Sequence, residues 1–416
     1  MSSTAEPATR LARRLDTSDA VVVGLGAMIG AGVFAVWAPA VRAAGNGVLF
    51  GLLLAAVIAY FNATSSAALA ALYPESGGAY VYGRERLGRL WGFLAGWAFV
   101  AGKLASCAAM ALTAASYLAP SFARPAAVAS VVALTSLNYL GVKKSVLFTR
   151  VAVTLVLLVL GCAVAAVWLG GAADPGRLWP LHGATAYGVL QAGGLLFFAF
   201  AGYARLASLG EEVVEPARTI PRAIPIALGV TVAVYAVVAV SVLAGATPAA
   251  LAASAAPLAA AVEAGNHASV LPLVRAGAGL ASLSALLSLI VGVSRTLFAM
   301  SSRGDLPALF GRVHPRDKAP HRAELVVGMV VAVVVAIADI RGAIGFSSFT
   351  VLSYYAITNA AAFTLEPERR RWPKAYAVLG LGGCLVLAFT LPVVSVLAGS
   401  AVLLAGVGCG ALRRSG

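Results

Sequence analysis

Runs of about 20 apolar residues, nearly free of charge, recur from residue 20 to residue 411 and are separated by short stretches where Lys, Arg, Gly and Pro collect. The runs are continuously apolar rather than alternating, which predicts helices and argues against a transmembrane β-barrel. A hydrocarbon layer about 30 Å thick takes about 20 helical residues to cross and leaves no water for open backbone, so each run predicts one spanning helix. Twelve spans are predicted, at 20–44, 47–72, 89–118, 125–141, 146–170, 187–209, 222–246, 271–301, 324–339, 343–364, 373–391 and 393–411. Residues 247–270 are too interrupted by Pro and Gly for a span and predict a short helix lying at the interface.

Basic residues orient this bundle. With the N-terminus in the cytoplasm, the inner segments hold 21 Lys and Arg, beginning with Arg10, Arg13 and Arg14 and ending with Arg413 and Arg414. The outer loops hold four, Arg124, Arg177, Arg275 and Arg341, and the bias places both termini inside a multi-pass protein of the cell inner (plasma) membrane. Residues 1–19 read as a polar cytoplasmic tail without the apolar core and cleavage site of a signal peptide, so the first span is expected to stay in the membrane.

Composition narrows the function. With 61% hydrophobic and 11% charged residues among 416, a soluble enzyme, a nucleic-acid module and a disordered chain are excluded. The net charge of +14 follows from topology and needs no nucleic-acid partner. Cys107, Cys162, Cys384 and Cys409 lie inside apolar runs without CxxC spacing, so neither a disulfide framework nor a zinc site is expected. His182, His267, His314 and His321 read as dispersed loop residues, which predicts no metal centre. A membrane-embedded enzyme would need a cluster of His, Asp or Glu within the spans, and a channel a continuous polar lining. The spans offer neither, so no catalytic residue and no cofactor are expected.

The first span carries GLGAMIGAGVF, with Gly24, Gly26, Gly30 and Gly32 near its middle. Gly26 and Gly30 alone would suit close packing of two helices. Unwound backbone facing a cavity is the other reading, since open peptide groups are tolerated at membrane depth only there. The sixth span, five further on, carries FFAFAGYARLASLGEEV, where aromatics surround Ala199, Ala201, Gly202 and Ala204. Interrupted helices at corresponding places in two five-span halves are the sign of an inverted repeat with its site between the breaks. The halves are 20–170 and 187–364, followed by two appended helices in 373–411 and a cytoplasmic tail, 412–416. Open backbone offers amides to a carboxylate and carbonyls to an ammonium, so one small site can hold both ends of an amino acid.

Four stretches resemble, in order, those of bacterial amino acid permeases in the amino acid-polyamine-organocation superfamily. They are GAMIGAGVF, YPESGGAYVYGRERLGRLWGFLAGW, FFAFAGYARLASLGEEVVEPARTIPRAI and SRTLFAMSSRGDLPALFGRVHPRDKAP. The resemblance implies an all-α polytopic membrane protein with a LeuT-like five-plus-five inverted repeat, broken first and sixth helices, and two appended helices. It implies a transporter working by alternating access; the function expected of this chain is secondary active, proton-coupled uptake of neutral or a broad range of amino acids. Exchange of amino acids and amines, polyamine transport and sodium coupling are its alternatives. A polycation would want intramembrane carboxylates that this chain lacks, and Ala204 stands where relatives resembling cationic carriers often have an acid. Carried over by position, Ile29, Gly30, Ala31 and Gly32 would meet the substrate carboxylate. Phe200, Ala201 and Gly202 would give backbone to the ammonium, with Phe200 or Tyr203 closing the outer side.

Several further residues have two readings. PESGGAY, between the second and third spans, suits a tight bend or a gating turn on the inner side. Glu211 and Glu212, facing Arg218 and Arg222, read as an inner gate or loop anchor rather than acid–base groups. Helical spacing places Arg205 on the face of Glu212, either tied to it or reaching an anionic group of the substrate. Ser282, Ser284 and Ser288 could join the carbonyls of Gly26 and Ile29 around sodium, as in sodium-coupled relatives, or simply bond the carbonyl four residues back. Lys103 sits mid-span with no Asp or Glu in the central part of any span, and a charge without a counter-ion there is costly. That makes it the candidate for proton coupling, held by carbonyls of the broken helices when charged. A lysine that snorkels into an aqueous cavity fits equally. Relatives that carry a lysine on the fifth span have no match here, where RVAVTLVLLVL offers only Arg150.

Overall fold

The computed structural model describes residues 15–75, 77–140, 146–171, 173–179, 184–207, 212–311 and 321–412. Glu211, His182 and His314 lie outside them, as do Lys143, Lys144 and most of both tails. Among the described residues the chain is helical, with one isolated β-bridge between Leu15 and Val213.

The first predicted span is three pieces, α1 (Thr17–Met28), α2 (Gly32–Ala35) and α3 (Trp37–Ala44). Asp16 opens it as an N-cap, accepting from the Asp19 amide at 2.8 Å. There follow α4 (Val48–Leu72), α5 (Ala79–Leu87), α6 (Arg89–Leu118), α7 (Ala123–Tyr139) and α8 (Val146–Leu169). The second half holds α9 (Ala186–Phe200), α10 (Ala204–Ala207), α11 (Pro216–Gly245), α12 (Pro248–Ala253) and α13 (Pro257–Glu263). It continues with α14 (Leu271–Ser302), α15 (His321–Ile337) and α16 (Ile340–Phe363), before α17 (Lys374–Phe389) and α18 (Val393–Leu412).

Among the described residues, eight helical segments are long and apolar enough, by length and composition, to cross a membrane. Val394, Ile337 and Leu158 stand exposed on the outside of the bundle, among many other large apolar side chains. Water does not tolerate apolar surface on that scale, so the chain is a multi-pass membrane protein. Inside, α6 packs against both α14 and α16, while α1 lies on α8 and α11.

The structure corrects three details and extends a fourth, the bend before α5. α11 starts at Pro216 rather than 222 and runs through Pro221 and Pro225, because proline suits a first turn and membrane helices tolerate it further in. The interfacial segment is two short helices, α12 and α13, split before Pro257. The PESGGAY bend, with Gly77 at φ 131° and Gly78 at φ 51°, leads straight into α5. His321 is no loop residue: it opens α15 and is buried.

Candidate functional site

The glycine-rich sequence of the first span opens at Ile29, whose φ of −80° and ψ of 63° are those of an inverse γ-turn. The Gly30 amide accordingly donates to Met28 O, two residues back, at 2.8 Å. No side chain caps α2, and the amides of Ala31, Gly32 and Val33 have no hydrogen-bond partner among the described residues. The far end of α2 is closed, with Trp37 Nε1 donating to Val33 O at 2.6 Å and Tyr117 Oη to Phe34 O at 2.9 Å. Free donors are thus left only at the break.

The sixth predicted span breaks as well, with residues 201–203 forming a 3₁₀ turn between α9 and α10. Lys103, buried on α6, donates from Nζ to Ala201 O at 3.3 Å. The two breaks touch backbone to backbone. A Cβ on Gly202 would fall on the Ala27 carbonyl and lie 2.7 Å from Met28 N, and one on Gly32 would lie 2.7 Å from Ala199 Cα. This refines the reading of the glycines: the room beside Gly32 is filled by Ala199, and Gly30 faces Ala285 Cβ at 3.0 Å. Gly26 packs on Thr149 and Val153 of α8. Ile29 and Ala31 are buried within the break. Phe200 is enclosed against Tyr235, ring centroids 5.1 Å apart, and Tyr203 against Tyr355 at 5.0 Å.

Tyr235 was not marked by the sequence, although a lone aromatic in the apolar run of α11 was a signal. Its Oη lies 2.6 Å from Met28 O and 3.0 Å from Ala199 O, so one hydroxyl is shared between both broken helices. Tyr235→Phe keeps the ring and removes that donor. It is expected to destabilise the protein by about 1–3 kcal/mol and to slow uptake, measured by thermal unfolding and by transport in liposomes.

On α14, Ser288 Oγ donates to Ser284 O at 3.0 Å, the back-bond of an ordinary membrane helix, whereas the enclosed Ser282 Oγ has no partner among the described residues. Toward the other end, Glu212 lies not opposite Arg218 but 3.9 Å from Arg295, while Arg218 pairs with Glu215 at 3.3 Å. The Leu15 amide donates to Glu212 O at 3.1 Å, tying the start of α1 to the segment after α10. Asp305, which the sequence did not single out, is buried between Tyr80 Oη at 2.7 Å, Arg84 at 2.7 Å and Arg89 at 3.1 Å. Burial, and then the bond it donates to Asp305, push the Tyr80 phenol up to about 12. The bend before α5 is thereby locked to the end of α14.

At the opposite end lies a cavity of about 260 Å³ bordered by Ala35, Ala38, Arg124, Ser254, Asp339 and Arg341. Arg42, counted inside the first span by the sequence reading, belongs to this end, since it and Arg341 both donate to Ala252 O.

An apolar helix interrupted at Ile29 lies against the 3₁₀ turn of a second inside a multi-pass bundle, an arrangement suited to a membrane transport protein. The chain matches the amino acid permease family over residues 15–407, and it belongs to that family, within the amino acid-polyamine-organocation superfamily. An uncharacterized transporter of Mycobacterium tuberculosis is 59% identical over 404 residues, covering 97% of this chain and 92% of that one. The branched-chain amino acid permease of Bacillus subtilis is 28% identical over 399 residues, 89% of this chain and 84% of the relative. The methylthioribose transporter of the same species is 27% identical over 415 residues, 92% and 89% of the two chains. Family and relatives are transporters, not enzymes.

Proposed function

We propose that the chain is a secondary active carrier of the plasma membrane that takes up neutral or a broad range of amino acids by alternating access, coupled to protons. The observation that carries this reading is the pair of touching breaks: free amides at Ala31, Gly32 and Val33 suit a carboxylate, and the carbonyls beside Ala201 suit an ammonium. The branched-chain permease among the relatives supports a neutral substrate. In this reading α7, α15, α16 and α17 join the eight apolar segments as spans, giving twelve with both termini inside. The packing supports an inverted repeat: α1 lies on α11 as α9 lies on α4, and α6 on α16 as α14 on α8. Lys103 is the coupling candidate, and Phe200 with the Glu212 segment closes the two sides. A sodium-coupled carrier is the second reading, favoured by the unpartnered Ser282 Oγ on the helix facing Gly30.

The test is uptake by the purified protein in liposomes, screening the common amino acids and polyamines under an imposed pH or sodium gradient. A neutral amino acid is expected to accumulate under the pH gradient. Transport of a polyamine or a sugar alone would sink the reading.

A further inference from the structure

A track of charges leads inward from the second break to α15. Arg205 is on α10, Glu212 follows it, and Arg295 on α14 is 3.9 Å from Glu212 and acts electrostatically on both Arg205 and Glu324. Glu324 sits in the first turn of α15 at 4% exposure, with Oε2 3.9 Å from His321 Nδ1. That distance is too wide for a hydrogen bond, and the enclosed Oε2 has no donor among the described residues. A carboxylate oxygen sealed away without a donor is costly, whereas a carboxyl that carries a proton is not. Among the described residues, the surroundings add little charge. α14 supplies Arg295, α7 supplies Tyr139, whose ring lies 4.5 Å from that of His321, and α15 itself supplies His321 and the exposed Arg322. On α6, Arg89 is engaged by Asp305 and Lys103 by Ala201 O, and the 3₁₀ turn Ala308–Gly311 has no titratable side chain.

We propose that Glu324 is an inner proton station of the carrier, holding a proton while enclosed and passing it to the cytoplasm through His321. In the release step His321 Nδ1 closes the 3.9 Å gap to hydrogen-bond distance, the Glu324 O–H bond breaks as an N–H bond forms on His321, and the imidazolium then gives that proton to water. The carboxylate left behind draws on Arg295, which also serves Glu212. Because Glu212 O holds the Leu15 amide at 3.1 Å, proton release is tied to the contact that fastens the start of α1. The proposal rests on the proton-coupled reading above and adds to it the residue where the proton leaves.

Two measurements on the full-length protein test it. Infrared difference spectra across a pH titration are expected to show a carboxyl C=O band that Glu324→Gln abolishes, that Lys103→Met keeps, and whose midpoint His321→Gln moves. In liposomes with radiolabelled leucine, Glu324→Gln is expected still to exchange leucine but to accumulate about tenfold less under a gradient of about one pH unit, the most one proton per substrate can drive. If the glutamine protein does not fold, Glu324→Asp retains the acid and is expected to show a displaced band. A band that persists unchanged in Glu324→Gln or Glu324→Asp overturns the assignment, as does wild-type accumulation in Glu324→Gln. Failure of the wild-type protein to move leucine at all would count against the transport reading instead, and the infrared band alone would then decide Glu324.

Discussion

Gly202→Ala is expected to destabilise the protein by about 3 kcal/mol or more and to abolish uptake, because the added methyl would fall on the Ala27 carbonyl. Backbone on both sides leaves nothing flexible to give way. Gly32→Ala should follow closely, since its Cβ would lie 2.7 Å from Ala199 Cα, again a main-chain atom. Gly30→Ala should be milder, since it meets a methyl, Ala285 Cβ, at 3.0 Å. The order Gly202, then Gly32, then Gly30 can be read from unfolding temperatures in detergent together with initial uptake rates. Equal damage at all three positions would mean that the glycines matter for something other than the approach of the two broken helices.

That order could not have been read from the sequence, and the reason is physical. The glycines of GAMIGAGVF and the small residues around Gly202 mark where a helix is weak, because helix propensity is a property of the local chain. Which atom each glycine makes room for is a matter of tertiary approach. The span ends were legible for the same local reason: Arg89 and Leu118 bound α6 where charge and a loop bound the apolar run. α11 was misplaced at its start because Pro221 reads locally as a stop. Lys103 was legible through its lack of any nearby acid in the sequence, but its acceptor on Ala201, 98 residues away, was not. Asp305 and Glu324 were passed over because each sits next to a loop, where acids are commonplace, and only the fold buries them.

Lys103→Met is expected to leave a folded protein that still exchanges substrate yet accumulates about tenfold less of it under a gradient of about one pH unit. Methionine approximates the length and bulk of the lysine stem, so the packing around α6 survives, while the ammonium at the break is removed. In the wild-type protein that ammonium is 6% exposed, donates to Ala201 O at 3.3 Å and lies 5.9 Å from the Phe99 ring centroid. Its hold on the second break weakens when its proton leaves, because a neutral amine donates less strongly than an ammonium. Lys103→Arg separates this from a purely structural pin. Guanidinium keeps the charge and the donors but does not give up its proton, so a pin would be preserved by arginine and a coupling group would not. Gradient-driven accumulation should accordingly stay lost in the arginine protein, even where its unfolding temperature matches wild type. Recovery of accumulation with arginine, or a wild-type protein that follows sodium and ignores pH, would make Lys103 a strut and move the search for the coupling ion to Ser282 and the carbonyls of the first break.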